Sequence, residues 1–202
     1  MDDFYNESLH FERTHTPRNA SVALLLQGGV GRFFYASAFS FTDIYVVPMS
    51  MLAHGDAVAL PMLSTDTLDM MSAGSERTRV EKTIHLADFP ITYKTLDVCV
   101  REGDERNCSV CKKCMRTLLT LDIAGLLEKY ADSFDLARYR SQRDRYVEAI
   151  LPRTDDLIRE IFDYADNAGV RFSKKTYIRA WLKNPKKMLK RSLWLACKRR
   201  MI

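Results

Sequence analysis

The sequence predicts an α/β chain: a domain of alternating helices and strands carrying a four-cysteine zinc knuckle, followed by an all-helical C-terminal extension. Three observations carry that expectation. Between Asn19 and Val100 short stretches read in turn as helix and strand, punctuated by Gly and Pro. Four of the five cysteines fall between Cys99 and Cys114, spaced Cys-x8-Cys-x2-Cys-x2-Cys. Beyond Gly125 every patterned stretch is helical.

Composition sets the outer limits. With 202 residues, 47% of them hydrophobic, the chain can hold one compact domain plus an appendage. Met1-Asp2-Asp3 opens on acids, and no apolar run approaches about 18 residues, so neither a secretion signal nor a transmembrane helix is expected. A reducing, cytoplasmic setting follows, which suits free thiolates. The net charge of +5 conceals an asymmetry. From Asn167 onward there are 12 Lys and Arg and no acid, leaving 19 basic against 26 acidic residues before that point. The body is acidic and the tail basic.

Residues 1–17 are polar and without period, so they read as a lead-in. Asn19 to Gln27 reads as a short buried helix stopped by Gly28-Gly29, and Gly31 to Ser37 as a buried aromatic strand. Gln27-Gly28-Gly29-Val30-Gly31 invites a phosphate-loop reading, but such loops follow a strand and open a helix. The order here is the reverse, so a helix-end turn is preferred. Ile44 to Val47 is a strand or short helix ended by Pro48, and residues 53–65 form a loop in which the lone His54 reads as surface or structural rather than as a ligand.

Thr78-Arg79-Val80-Glu81 has capping-box form and starts a helix of about residues 79–88, with Arg79 and Lys82 near its anion-attracting end. Thr95 to Val100 reads as a strand, Arg101 to Asn107 as a charged loop, and Lys112 to Ala124 as a helix closed by Gly125. Helices are then expected at 126–130, 135–151, 154–167 with Thr154 as cap, 173–182 and 184–200 with Pro185 at the first helical position. A domain boundary near Ser133 divides the chain into an α/β zinc-knuckle domain, 1–132, and a basic helical extension, 133–202. On the last helix Met188, Leu189, Leu193, Leu195 and Ala196 oppose Lys187, Lys190, Arg191 and Lys198, with Trp194 among the basic residues. Such a helix suits an anionic membrane surface, a nucleic acid, or docking on the chain's own acidic body.

The cysteines are read as a zinc site with Cys99, Cys108, Cys111 and Cys114 as ligands, because two Cys-x2-Cys steps let soft sulfurs converge on one ion. An iron–sulfur cluster, a redox dithiol and disulfides are the alternatives. Disulfides fit worst, since Cys197 would be left odd. Four cysteines leave no open coordination position, so the zinc is expected to be structural. Cys111 and Cys114 fall in a helical first turn, where the dipole favours thiolate.

Val98-Cys99 with Cys108-x2-Cys111-x2-Cys114-x-Arg116, preceded by Arg79-x2-Lys82 on a helix, resembles the C-terminal half of 7-cyano-7-deazaguanine synthase-like proteins. These belong to the PP-loop ATP pyrophosphatase superfamily, and the resemblance implies that the α/β domain here is a partial parallel-sheet (PP-loop/HUP-like) domain. The likeness is closer still to bacterial relatives often linked with surface-polysaccharide gene clusters, through Pro61-Met62-Leu63-Ser64-Thr65, Arg79-Val80-Glu81-Lys82 and Asn107 to Leu118. It covers about Ala20 to Tyr139. It implies ATP-dependent adenylation of a carboxylate or similar group, zinc that is structural or near the substrate, and Arg79, Lys82 and Arg116 as substrate- or anion-binding groups. The superfamily's Ser-Gly-Gly-x-Asp-Ser signature is absent, since Gln27 to Gly31 lacks its acid and serines. The resemblance therefore implies a C-terminal part, split-gene product or degenerate relative, which binds ATP only when an N-terminal half is supplied, or else a homo-oligomer. A different expectation is a non-enzymatic zinc-stabilised module whose tail, residues 171–202, contacts nucleic acid or an anionic membrane.

Overall fold

A computed structural model describes residues 11–45, 51–99 and 107–200, with side chains to residue 193. The chain is mixed α/β, mostly helical, with one small parallel sheet. Its contacts divide it into two compact units, Met1–Arg79 and Val80–Ile202. The residues on both sides of Ser133 belong to the second unit. Val46 to Pro48, Val100, the loop 101–106 and the side chains of Trp194 to Lys198 lie outside the described residues.

The first unit starts with α1 (Phe11–Leu25), which begins well before Asn19 and runs through Pro17. The expected lead-in is therefore helical from Phe11. The helix buries His15, Thr16, Ala20 and Ala23, and its alanines let it approach its neighbours closely. Hydrogen bonds Leu26 N to Val22 O and Gly29 N to Leu26 O close it, and β1 (Arg32–Ala36) follows. The Gly28-Gly29 segment is thus a helix-end turn leading into a strand.

Beyond a 3-10 turn at Phe41–Asp43 and another at Leu52–Gly55, residues expected as loop form α2 (Asp56–Met62). The chain then enters β2 (Asp69–Ala73), a strand the sequence did not announce, which pairs parallel with β1. Parallel pairing requires a crossover, and the segment containing α2 supplies it. One sheet face holds Phe33, Tyr35, Met70 and Ser72, packed in part against Ala20, Ala23, Leu60 and Leu68. On the other face the register pairs Arg32 with Asp69, Phe34 with Met71 and Ala36 with Ala73, all exposed. His54 is buried, stacked between Phe39 and Tyr45 at centroid distances of 3.7 and 4.3 Å. Its Nδ1 donates to the Asp43 carbonyl at 2.9 Å, so it is a structural histidine.

The second unit begins at α3 (Arg79–His85), shorter than expected because residues 86–88 tighten into a 3-10 turn. After α4 (Thr92–Thr95) the expected strand at 95–100 is absent among the described residues. Helix α5 (Lys112–Ile123) is buried on nearly every side and joins two clusters. Leu119 and Ile123 belong to one, and Cys114, Met115, Leu118 and Leu121 to the other. It ends as the sequence predicts, at Gly125 with φ 70°, where Gly125 N bonds Asp122 O and Leu126 N bonds Leu121 O. That double bond is the Schellman arrangement, which a left-handed glycine permits.

A 3-10 turn at Leu127–Tyr130 replaces the expected helix there. Helix α6 (Leu136–Ile150) is capped by Asp135, whose side chain accepts from Arg138 N. Tyr139 Oη donates to Asp122 at 2.9 Å, and Arg143 also binds that carboxylate, tying α6 to α5. Helix α7 (Asp156–Asn167) buries Ile158, Ile161, Phe162 and Ala165 at helical spacing. Its cap position is Asp155 rather than Thr154, and Gly169 closes it as Gly125 closes α5. Helix α8 (Lys174–Lys183) is capped by Ser173, and α9 (Pro185–Arg200) carries Pro at its first position. Arg191 lies over the Phe162 ring at 4.0 Å and donates to Leu151 O at 2.6 Å, so the last helix docks on its own unit.

Candidate metal centre

The cysteine segment is shaped by a single side chain. Asn107 is buried, and its Oδ1 accepts from the amides of Val98 at 2.9 Å and Cys99 at 3.1 Å. Its Nδ2 donates to the carbonyls of Leu96 at 2.7 Å and Ser133 at 3.1 Å. One amide thus supplies the donor and acceptor that a neighbouring strand would offer, and holds Leu96 to Cys99 without a ladder. Asn107 also makes an isolated parallel bridge to Phe134.

From Cys108 the chain turns through Ser109, a non-glycine at φ 60°. Left-handed backbone disfavours most side chains, and here the hydroxyl is fully used. Ser109 Oγ donates to Asn107 O at 3.3 Å and accepts from Asp135 N at 2.9 Å. Cys111 then caps α5, its sulfur accepting from the Cys114 amide at 3.5 Å, while the Cys111 amide donates to Cys108 Sγ at 3.3 Å.

The result brings all four predicted ligands together. The sulfurs of Cys99, Cys108, Cys111 and Cys114 lie within 4.8 Å of one another, with Cys108 and Cys114 at 3.9 Å. Cys108 and Cys114 are buried, Cys99 and Cys111 half-buried. These four thiols are placed to hold one metal ion. Burial opposes ionisation at Cys108 and Cys111, yet backbone donors from Val110 and Cys111 at the first, and from Cys114 at the second, bring both thiols below the usual range. Burial and the neighbouring sulfurs push the Cys114 thiol up. A divalent ion among them would favour the thiolate at every position. The exposed Lys112 and Lys113 and the positive end of α5 favour the same negative charge.

The basic candidates lie on two helices. Arg79 starts α3 and its Nη2 donates to Ala38 O at 3.4 Å. Lys82 is half-buried on α3. The anion-attracting amide at this helix start already has a partner, since Val80 N donates to the buried carboxylate of Glu160 at 3.3 Å. Arg116 follows Cys114 on α5; burial pushes the Tyr146 hydroxyl up to about 12, with the charges of Arg116 and Arg153 opposing that rise and those of Asp155 and Cys111 adding to it. Asn107, Ser109 and Ser133, whose Oγ donates to Tyr93 O at 2.7 Å, complete the centre and were not singled out from the sequence. Asn107 stands directly before a ligand cysteine, and asparagine's capacity to imitate backbone is the signal that would have found it.

These features define a mixed α/β chain with a four-cysteine centre clipped to the start of a buried helix. No family model matches the chain, and no match emerges among curated proteins or solved structures.

Proposed function

We propose that the protein is a zinc-stabilised part of a PP-loop ATP-dependent ligase-like enzyme, active only when a complementary half supplies the ATP site. The observation that carries this reading is the sheet of the first unit. Parallel sheets are covered on both faces, yet here Phe34 is 59% and Met71 38% exposed on the same face. A pair of parallel strands whose outer face sets Phe34, Met71 and two alanines beside the Arg32–Asp69 pair is what a larger sheet would leave when its covering layer is held by another chain. The motif resemblance from Arg79 to Leu118 supports the same reading.

We read the ion as zinc, and the sulfur spacing supports that reading. A tetrahedron with metal–sulfur bonds of about 2.3 Å has sulfur–sulfur edges of about 3.8 Å, against 3.9 Å between Cys108 and Cys114. With all four positions filled by thiolate, the ion's contribution is to folding, and it activates no water. Arg79, Lys82 and Arg116 are the cations the resemblance places at the substrate. The test is ATP–pyrophosphate exchange by the chain alone and co-purified with the product of the gene directly upstream. Exchange is expected only in the pair and is lost on Phe34→Asp; absence of exchange from a stable pair, or of any pair, overturns the ligase reading. Zinc content near one per chain tests the metal assignment separately.

A further inference from the structure

Helices α8 and α9 leave a second apolar surface after their inner faces are spent. On α8 only Thr176 and Ala180 are buried, while Tyr177, Ile178, Trp181 and Leu182 are 41%, 59%, 55% and 69% exposed. The spacing i, i+1, i+4, i+5 puts those four on one continuous stripe turned away from the buried pair. On α9, which packs against α8, Met188 faces inward whereas Leu189 and Leu193 are each 61% exposed. The docking of the tail on its own unit therefore accounts for one face of each helix and not for the other.

The charge carried by these two helices is of one sign. Lys174, Lys175, Arg179, Lys186, Lys187 and Lys190 are all exposed, and no Asp or Glu occurs after Asp166. Lys183, paired with Glu148, is already engaged. Neither helix is long and apolar enough to cross a membrane. Short helices with exposed aliphatic residues, a tryptophan and a lysine-rich flank lie in the boundary between headgroups and acyl chains.

We propose that the outer face of α8 and α9 docks the second unit on an anionic phospholipid surface, with Ile178, Trp181, Leu182, Leu189 and Leu193 entering the interface and the flanking lysines meeting the headgroups. A nucleic acid would satisfy the lysines but would set the aliphatic side chains against phosphates; a lipid surface satisfies both. The proposal does not depend on the ligase reading.

The experiment uses the full-length, metal-loaded chain carrying Trp194→Phe, so that Trp181 is the sole tryptophan of the two in the chain. It is titrated with vesicles of phosphatidylcholine alone and of phosphatidylcholine with about 30% phosphatidylglycerol, an anionic fraction large enough to set up a surface potential. Trp181 emission is expected to move to the blue only with the anionic vesicles, and the effect to weaken as salt is raised. Ile178→Ser with Leu182→Ser should weaken binding at least about tenfold, since two exposed aliphatic groups lose their burial. Lys186→Gln with Lys187→Gln and Lys190→Gln should weaken it about a hundredfold, each charge counting about fivefold. Unchanged circular dichroism melts show that the variants fold, and the salt series on the parent protein stands without them. Equal binding to both vesicles, no shift of Trp181, or displacement from vesicles by single-stranded RNA bound more tightly overturns the proposal.

Discussion

The two units build their cores differently. The first covers one face of a two-stranded sheet with Ala20, Ala23, Leu60 and Leu68 and leaves the other face in solvent. The second wraps α5 with α6, the Leu127–Tyr130 turn and the clusters around Leu118 and Leu119, and clips the start of that helix with four sulfurs. A helix buried all round has its partners within its own unit; a parallel sheet with one bare face lacks half of the burial that makes such sheets stable. The second unit thus surrounds its central helix with its own residues, whereas the first leaves Phe34 and Met71 exposed on one sheet face.

Removing a metal ligand tests that contrast most severely. Cys108→Ser should lower the stability of the second unit by about 4 kcal/mol or more, because structural zinc binding is folding free energy. Denaturant titration followed by helical dichroism, with metal content in parallel, checks it; an unchanged midpoint would remove the metal from the account. Leu118→Ala, at a position with no exposed surface, should cost about 3 kcal/mol. Leu60→Ala should instead expose the first unit to limited proteolysis while the metal stays bound, and metal loss on Leu60→Ala would break the division.

Asn107→Ala should cost about 2 kcal/mol, since it leaves backbone groups of the half-buried Leu96 and Val98 and of the buried Ser133 unpaired. Its signature is faster metal release through Cys99, read by transfer to a chelator. The smallest effect is expected at Asp56, buried and accepting from Thr16 Oγ1 at 2.7 Å. Burial raises its carboxyl above the ordinary value, against the Thr16 bond and the charges of His15 and His54. Between its unfolded and folded pKa values the folded state holds more protons, so its contribution is full below about pH 3.9 and falls as pH rises through the raised value. Asp56→Asn should flatten that fall and modestly raise first-unit stability at pH 7, measured by melting from pH 4 to pH 8; a steeper fall would reverse the assignment.

What the sequence disclosed is what is local. Cys-x2-Cys spacing, Gly125 at a helix end, and Pro185 at a first helical position each act within a few residues, and each is found where expected. Long-range causes were hidden. Asp69-Met70-Met71-Ser72-Ala73 has no β-branched or aromatic residue, and it is a strand because β1 offers it a partner. Thr95 to Val98 has a strand's composition, but the Asn107 side chain takes the role of the neighbouring strand. Phe11 to Asn19 shows no helical period, and its burial is polar, through His15 and Thr16. The exposed sheet face is likewise invisible in a sequence, because exposure of Phe34 and Met71 is a property of what surrounds them.

The Cys111 sulfur is at once a prospective metal ligand and the acceptor for the Cys114 amide at the head of α5. Ion loss and fraying of that first turn are therefore expected to go together. The exchange rate of a single backbone hydrogen, on Cys114, then becomes a gauge of occupancy that needs no spectroscopic metal. The far end of α5 is held separately, by Asp122 on Tyr139 and Arg143, so the slackening is expected to stay in the first turn. The centre is in that sense a latch on the helix's kinetics as well as a staple in its fold.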